Sequence, residues 1–200
     1  MPLPVSPALV AAAAKDRPII REDDFVKRII ALAGLALLSV AGAALATAPM
    51  LKVSKSVTIN ASADKVWAKV KDFGGLDNWH PALASDKIVE GTDNKVGAVR
   101  VLTLKDGGTI KEKLLAHDEL RHTFKYSILE GVLPVSNYTS TLTVAADGKN
   151  KSKVTWSGAF QRKNTGPAPG KGEDDKTATD TMASVYQAGL DNLKKIVEGK

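Results

Sequence analysis

The chain contains no cysteine and only three histidines, and its aromatics are limited to three tryptophans, three tyrosines and four phenylalanines. Without thiols it has no disulfide, no thiolate-bound zinc or iron-sulfur centre and no cysteine nucleophile. The histidines His80, His117 and His122 fall on different predicted elements, and none sits three or four residues from another histidine or a carboxylate in a predicted helix. No metal site is therefore read from them. Also missing are a Ser-His-Asp order, a phosphate-binding glycine loop and a dinucleotide fingerprint, so no catalytic residue and no cofactor are assigned. Net charge is +6 and the pI about 9.4. Yet the lysines are scattered singly along predicted strands, with no basic block and no interleaved aromatic stripe, which argues against nucleic acid as a partner.

With 44% hydrophobic and 25% charged residues, the composition is that of an ordinary globular protein, consistent with one domain. An export signal precedes that domain. Lys27-Arg28 is followed by the apolar run Ile29–Ala46, and no charge occurs between Ile29 and Leu51. This is a basic n-region and an apolar h-region, with Ala44 and Ala46 as the small residues of a cleavage site. The expected organisation is an N-terminal extension and signal peptide over 1–46 and a mature domain over 47–200, placed in the periplasm. The alternative is a retained membrane anchor, because the run approaches the roughly 17–25 residues that span a bilayer. Residues 1–25 precede an already complete signal; a start at Val26 would give a compact one opening on Lys27-Arg28.

The C-terminal stretch Asp175 to Glu198 carries Met182, Val185, Tyr186, Gly189, Leu190, Leu193, Ile196 and Val197 at helical spacing. One face of a long helix is thus to be buried against something large and apolar. Leu51, Val53, Val57 and Ile59 alternate with polar residues as a half-buried strand does. A helix follows with Ser62 as N-cap and Asp64 in its first turn, burying Val66, Trp67, Val70 and Phe73. Gly74-Gly75 stops it, and Leu76 to Trp79 reads as one more short turn before His80-Pro81. Residues 85–93 form a weakly patterned strand.

From Ala98 onward one face can be followed through five strands, because the even positions are the apolar ones: Leu102 and Leu104, Ile110 and Leu114, Phe124 and Ile128, Leu142 and Val144, Val154 and Phe160. The odd positions are mostly Thr, Ser and Lys and should meet water, with Val99, Val101, Leu115 and Leu129 as exceptions. Lys105-Asp106-Gly107 suits a three-residue hairpin loop with glycine in the left-handed position, which pairs Leu102 with Ile110 and Arg100 with Glu112. A connection centred on Val132 sets Tyr126 opposite Tyr138. The class is α+β.

The order strand, helix pair, six-strand antiparallel meander and terminal helix resembles the helix-grip fold of the SRPBCC superfamily, which includes START lipid-transfer domains and polyketide cyclases. Ile59 to Trp67 (INASADKVW), Trp79-His80-Pro81 and Tyr186 to Leu193 (YQAGLDNL) look like its recurrent segments. Arg100 to Leu104, Asp106-Gly107-Gly108, Glu112, Leu133-Pro134-Val135 and Tyr138 are similar to the subgroup around periplasmic methanol-oxidation accessory proteins. The resemblance spans about residues 51–198. It implies a curved sheet of about seven strands, in β-α-α-β6-α order, wrapped on the C-terminal helix with a cavity between.

The even face also carries Arg100, Glu112, His122, Tyr126, Tyr138 and Ser140 beside Leu102 and Trp156. A dry core would leave each unpaired polar group at a cost of a few kcal/mol. A cavity would not. Arg100, Glu112, Tyr126, Tyr138 and Trp156 are accordingly expected to line a pocket for a small hydrophobic or amphipathic ligand, with Trp79 as a further ligand-binding residue and His80 as a donor at its mouth. The competing structural interpretation is that Arg100 and Glu112 satisfy each other, the tyrosines hydrogen-bond locally, the tryptophans are core and His80 caps its loop. Two other functions use the same features: a cyclase or dehydratase with Glu112 or His80 as acid or base, and an accessory factor whose lysine-bearing outer face meets a periplasmic redox protein. The membrane enters only through the signal segment.

Overall fold

A computed structural model describes residues 47–200, and the expected signal run Ile29–Ala46 with the residues before it lies outside them. The elements are β1 (Leu51–Ile59), α1 (Ala63–Val70), a 3-10 segment (Phe73–Asn78), β2 (Leu83–Glu90), β3 (Val99–Leu104), β4 (Thr109–Asp118), β5 (Thr123–Gly131), β6 (Val135–Ala146), β7 (Ser152–Arg162) and α2 (Asp175–Glu198). The strands form one antiparallel sheet in the order β1-β7-β6-β5-β4-β3-β2. This is the α+β helix-grip architecture expected from the sequence: the chain crosses the sheet by successive hairpins from β2 to β7, and β1 closes the far side against β7.

Local chemistry explains the helices. Ser62 caps α1 by accepting from the Lys65 N–H at 3.4 Å, and Val66, Trp67 and Val70 are its buried residues. Phe73 is buried too, one turn later in the 3-10 segment. Asp174 caps α2 through the Thr177 N–H at 2.8 Å, and Gly199 ends it in the left-handed conformation. Of the apolar stripe read along α2, Ile196 is the exception: it is 41% exposed, because Leu193 and Val197, four apart, already occupy the inward direction.

Packing against β1 and β7 is close. A Cβ on Gly158 of β7 would fall on the Tyr186 hydroxyl, and one on Gly189 of α2 would stand 2.6 Å from His80 Cδ2 and 2.9 Å from Trp156 Cζ3. Glycine at these two positions lets the aromatic side chains reach the opposite backbone. Gly158→Ala should therefore destabilise by about 1–3 kcal/mol through overpacking, read from chemical denaturation, and should cost much less when it is introduced into a Tyr186→Phe background than into the wild type. An equal cost in the two backgrounds would show that the Tyr186 hydroxyl is not the obstacle.

The even-inward rule holds over most of β3 to β7, and where it breaks the pairing slips. Ala116 lies opposite Lys125, and His117 opposite Phe124, after a bulge following Leu114. Ala116 is therefore exposed and His117 half-buried, the reverse of the sequence expectation, and Leu115 is the extra residue. His122 precedes β5, in the left-handed conformation with φ 47°. Tyr126 pairs with Ser140 rather than Tyr138, a two-residue shift that keeps both tyrosines inward, and β6 carries a bulge against β7 around Asn137 (φ 48°). The β3–β4 hairpin matches its prediction: Gly107 has φ 90° and Leu104 N–H donates to Gly108 O at 2.8 Å.

Candidate functional site

The hairpin register places Arg100 opposite Glu112, both inward. Arg100 Nε donates to Glu112 Oε2 at 2.8 Å, and Nη2 stands 2.6 Å from the same oxygen. Nη1 donates to the Phe73 carbonyl and, at 3.1 Å, to Asp86 Oδ2. The guanidinium carbon lies 4.2 Å from the centre of the Phe73 ring. One buried cation thus serves two buried carboxylates. Asp86, on β2 opposite Leu102, was not singled out in the sequence. Extending the even-inward rule back to Asp86 and Ile88 would have found it, since both point to the same side as Arg100. Its Oδ2 also accepts from the Leu76 N–H at 3.0 Å, whereas its buried Oδ1 has no partner among the described residues. Burial pushes the Asp86 carboxyl up to about 6 against the pull of Arg100. Burial raises Glu112 as well, again opposed by Arg100.

Beside this cluster runs a chain of hydroxyls. Tyr126 and Tyr138 oxygens are 3.4 Å apart, Tyr138 and Tyr186 oxygens 2.6 Å, Tyr186 to Ser140 Oγ 3.3 Å, and Ser140 Oγ to the Ser157 carbonyl 2.8 Å. The terminal carbonyl only accepts, so the direction is fixed: Ser140 donates to it, Tyr186 to Ser140, Tyr138 to Tyr186 and Tyr126 to Tyr138. Trp156 Nε1 donates into the chain, 2.9 Å from Tyr126 Oη and 3.0 Å from Ser140 Oγ, and its ring stacks on Tyr186 at 4.8 Å. Burial raises all three phenols, Tyr186 to about 12. They are neutral hydrogen-bonding groups at any physiological pH.

Between sheet and α2 remains a cavity of about 120 Å³, lined by Leu76, His80, Ala82, Leu83, Leu102, Leu104, Ile110, Glu112, Tyr126, Ile128, Leu133, Tyr138, Trp156, Met182, Val185 and Tyr186. Of the residues expected at such a pocket, the structure brings Glu112, Tyr126, Tyr138, Trp156 and His80 to its wall. Arg100 and Trp79 lie behind that wall: Arg100 under Glu112 and Phe73, and Trp79 against Trp156 with ring centres 5.5 Å apart. His80 is a strut. Its Nδ1 accepts from the Ala82 N–H at 3.3 Å, leaving Nε2–H to donate to the Val185 carbonyl at 3.1 Å, and burial lowers its pKa. The sequence placed Met182, Val185 and Tyr186 on the buried helix face without assigning them to the pocket.

A larger groove of about 770 Å³ opens on the sheet where β5 and β6 diverge after Ser127 and Thr139. Glu130, Ser136, Asn137 and Lys163 make its lining polar, and it shares only Ile128, Leu133 and Tyr138 with the inner cavity. The smaller space has the apolar wall and few polar anchors of a small-molecule site.

The family model for polyketide cyclase/dehydrase and lipid transport proteins matches residues 50–198. The chain belongs to this family. Among solved structures, an uncharacterised protein from Bacillus thuringiensis is 31% identical, with 74% of this chain and 98% of that one covered and a TM-score of 0.65. The protein XoxI from Bacillus cereus is likewise 31% identical, covering 73% and 94%, with a TM-score of 0.64. The Zhui aromatase/cyclase from a Streptomyces species is 20% identical over 75% and 94%, with a TM-score of 0.60. That last likeness is one of fold. Membership of the polyketide cyclase/dehydrase family agrees with the SRPBCC resemblance and with a ligand-binding role for the helix-grip cavity.

Proposed function

We propose that this protein is exported and binds a small hydrophobic or amphipathic molecule in the helix-grip cavity without transforming it. The observation that carries the reading is the 120 Å³ space between sheet and α2, apolar over most of its wall. Family membership supports it. A cavity of this size resembles the roughly 150 Å³ apolar cavities that take up benzene, and is below the roughly 300–1,000 Å³ of drug-sized pockets. In this conformation it therefore suits a ring-sized ligand, or one ring of a larger molecule. Binding rather than chemistry is favoured by how the polar donors are engaged: His80 has both nitrogens bonded, the phenol protons run into a backbone carbonyl, and Arg100 keeps its donors on Oε2 of Glu112, Asp86 and the Phe73 carbonyl. A general acid or base needs a proton it can exchange with substrate.

Purification from the native periplasm, followed by organic extraction and mass spectrometry, should yield a hydrophobic molecule that is lost from Tyr126→Ala/Tyr138→Ala. The intact mass should begin at Thr47. A protein that retains Ile29–Ala46 in the membrane would overturn cleavage, and turnover of a polyketide-like substrate that disappears in Glu112→Gln would replace binding by cyclase or dehydratase chemistry. A second reading, an accessory protein of a periplasmic redox system, is favoured by the 31% identity to XoxI together with the resemblance to methanol-oxidation accessory proteins. It places the partner on the outer face of the sheet, where Lys52, Lys125 and Lys153 stand among Ser54, Thr141, Thr155 and Ser157.

A further inference from the structure

Six of the residues lining the inner cavity carry polar side-chain atoms: His80, Glu112, Tyr126, Tyr138, Trp156 and Tyr186. Five have their donors engaged within the protein. His80 uses both nitrogens, the three phenol protons pass along the directed chain to Ser140 and the Ser157 carbonyl, and the indole N–H donates to Tyr126 and Ser140. Glu112 differs. Both of its contacts with Arg100 end on Oε2, and among the described residues no hydrogen bond reaches Oε1. Nor is Oε1 sealed off, since the fully enclosed side-chain atoms without a partner are Asp86 Oδ1 and Ser152 Oγ. Glu112 itself is only 4% exposed, and its accessible side is the cavity wall.

We infer that Glu112 Oε1 is the cavity's acceptor for a ligand, and that the ligand is a ring-sized apolar molecule bearing one neutral O–H or N–H donor. The inference rests on the proposed binding function and specifies its ligand class. Size comes from the volume and the apolar wall. The donor comes from the one carboxylate oxygen left without a proton to accept. Neutrality comes from the apolar wall, where a charged ligand would lose its hydration without a partner of its own, Glu112 already being shared with Arg100. An acceptor-only ligand finds no free donor on the wall while Glu112 is ionised.

The test uses the whole mature protein at pH 7.5 and three probes, toluene, phenol and benzaldehyde, titrated while the Met182 methyl group is followed by NMR. Toluene and phenol have the same number of heavy atoms, so their difference reads the donor. A hydrogen bond to a charged partner is worth about a tenfold gain or more in affinity. Phenol is therefore expected to bind at least about tenfold more tightly than toluene, with benzaldehyde no better than toluene. In Glu112→Gln the amide oxygen stays on Arg100 and the amide N–H faces the cavity, so the phenol preference should collapse and benzaldehyde should gain. Equal binding of toluene and phenol to the wild-type protein would overturn this inference while leaving the binding function standing. Failure of all three probes to move Met182 would count against the binding function and the inference together. The wild-type ranking decides the question even if Glu112→Gln does not fold.

Discussion

Arg100→Leu should destabilise the protein by about 3–5 kcal/mol, the range for removing one partner of a buried ion pair. The reason is what it leaves behind. Glu112 and Asp86 would remain in the same buried site with no cation between them. Each must then bind a proton to stay buried, so both carboxyls should titrate well above their ordinary values. Glu112→Gln should be milder, because Arg100 keeps Asp86, the Phe73 carbonyl and the face of the Phe73 ring. Urea unfolding at pH 7 separates the two. If Arg100→Leu costs less than about 1 kcal/mol, or less than Glu112→Gln, Arg100 is not the centre of the cluster.

Asp86→Asn should alter the pH dependence of stability by about 2–3 kcal/mol. Asp86 ordinarily titrates near 3.8 and in the fold near 6. Between those values the folded protein binds more protons than the unfolded chain, so stability falls as pH rises. The contribution is fully present below about pH 4 and lost above about pH 6.5, and the displacement corresponds to roughly 3 kcal/mol. Asparagine cannot titrate. Relative to wild type, the variant should therefore improve steadily from pH 4 to pH 7.5. Comparing the two proteins cancels other groups, including carboxylates such as Glu198, held down to about 2 by the Asn60 N–H, whose slopes run the other way. A constant difference across that range would mean that Asp86 is ordinarily acidic in the fold.

Much of the fold was legible because side-chain alternation in strands and the 3.6-residue period in helices leave direct traces in sequence. Arg100 and Glu112 followed from Gly107, whose left-handed loop sets the register of the whole hairpin. What escaped depended on register. The bulge after Leu114 exchanged the positions of Ala116 and His117, and a two-residue shift of the β5–β6 pairing placed Ser140 rather than Tyr138 opposite Tyr126. A bulge adds one residue without a compositional mark, since any residue near the right-handed region and an occasional asparagine can occupy it. The hydroxyl chain survived the error because Tyr138 keeps its inward side and reaches Tyr126 diagonally. Asp86 escaped for another reason: β2 is an edge strand whose parity with the rest of the sheet is interrupted on both sides of it, between Leu83 and Ser85 and between Ile88 and Glu90. The size of the cavity was beyond sequence reading, because it depends on how far Gly158 and Gly189 allow Tyr186, Trp156 and His80 to close the space.

The site therefore consists of a polar layer whose donors are engaged within the protein, beside an apolar chamber, and the central claim is that the chamber takes up a ligand. Its most direct test uses the methionines. The chain has three, of which Met182 lines the cavity and Met50 is 53% exposed on the surface. With 13C-labelled methionine methyl groups, a ring-sized apolar ligand such as phenol should shift the Met182 resonance saturably and leave Met50 unchanged. A Met182 resonance unmoved at saturating ligand, or one that moves only together with Met50, would contradict binding in the cavity.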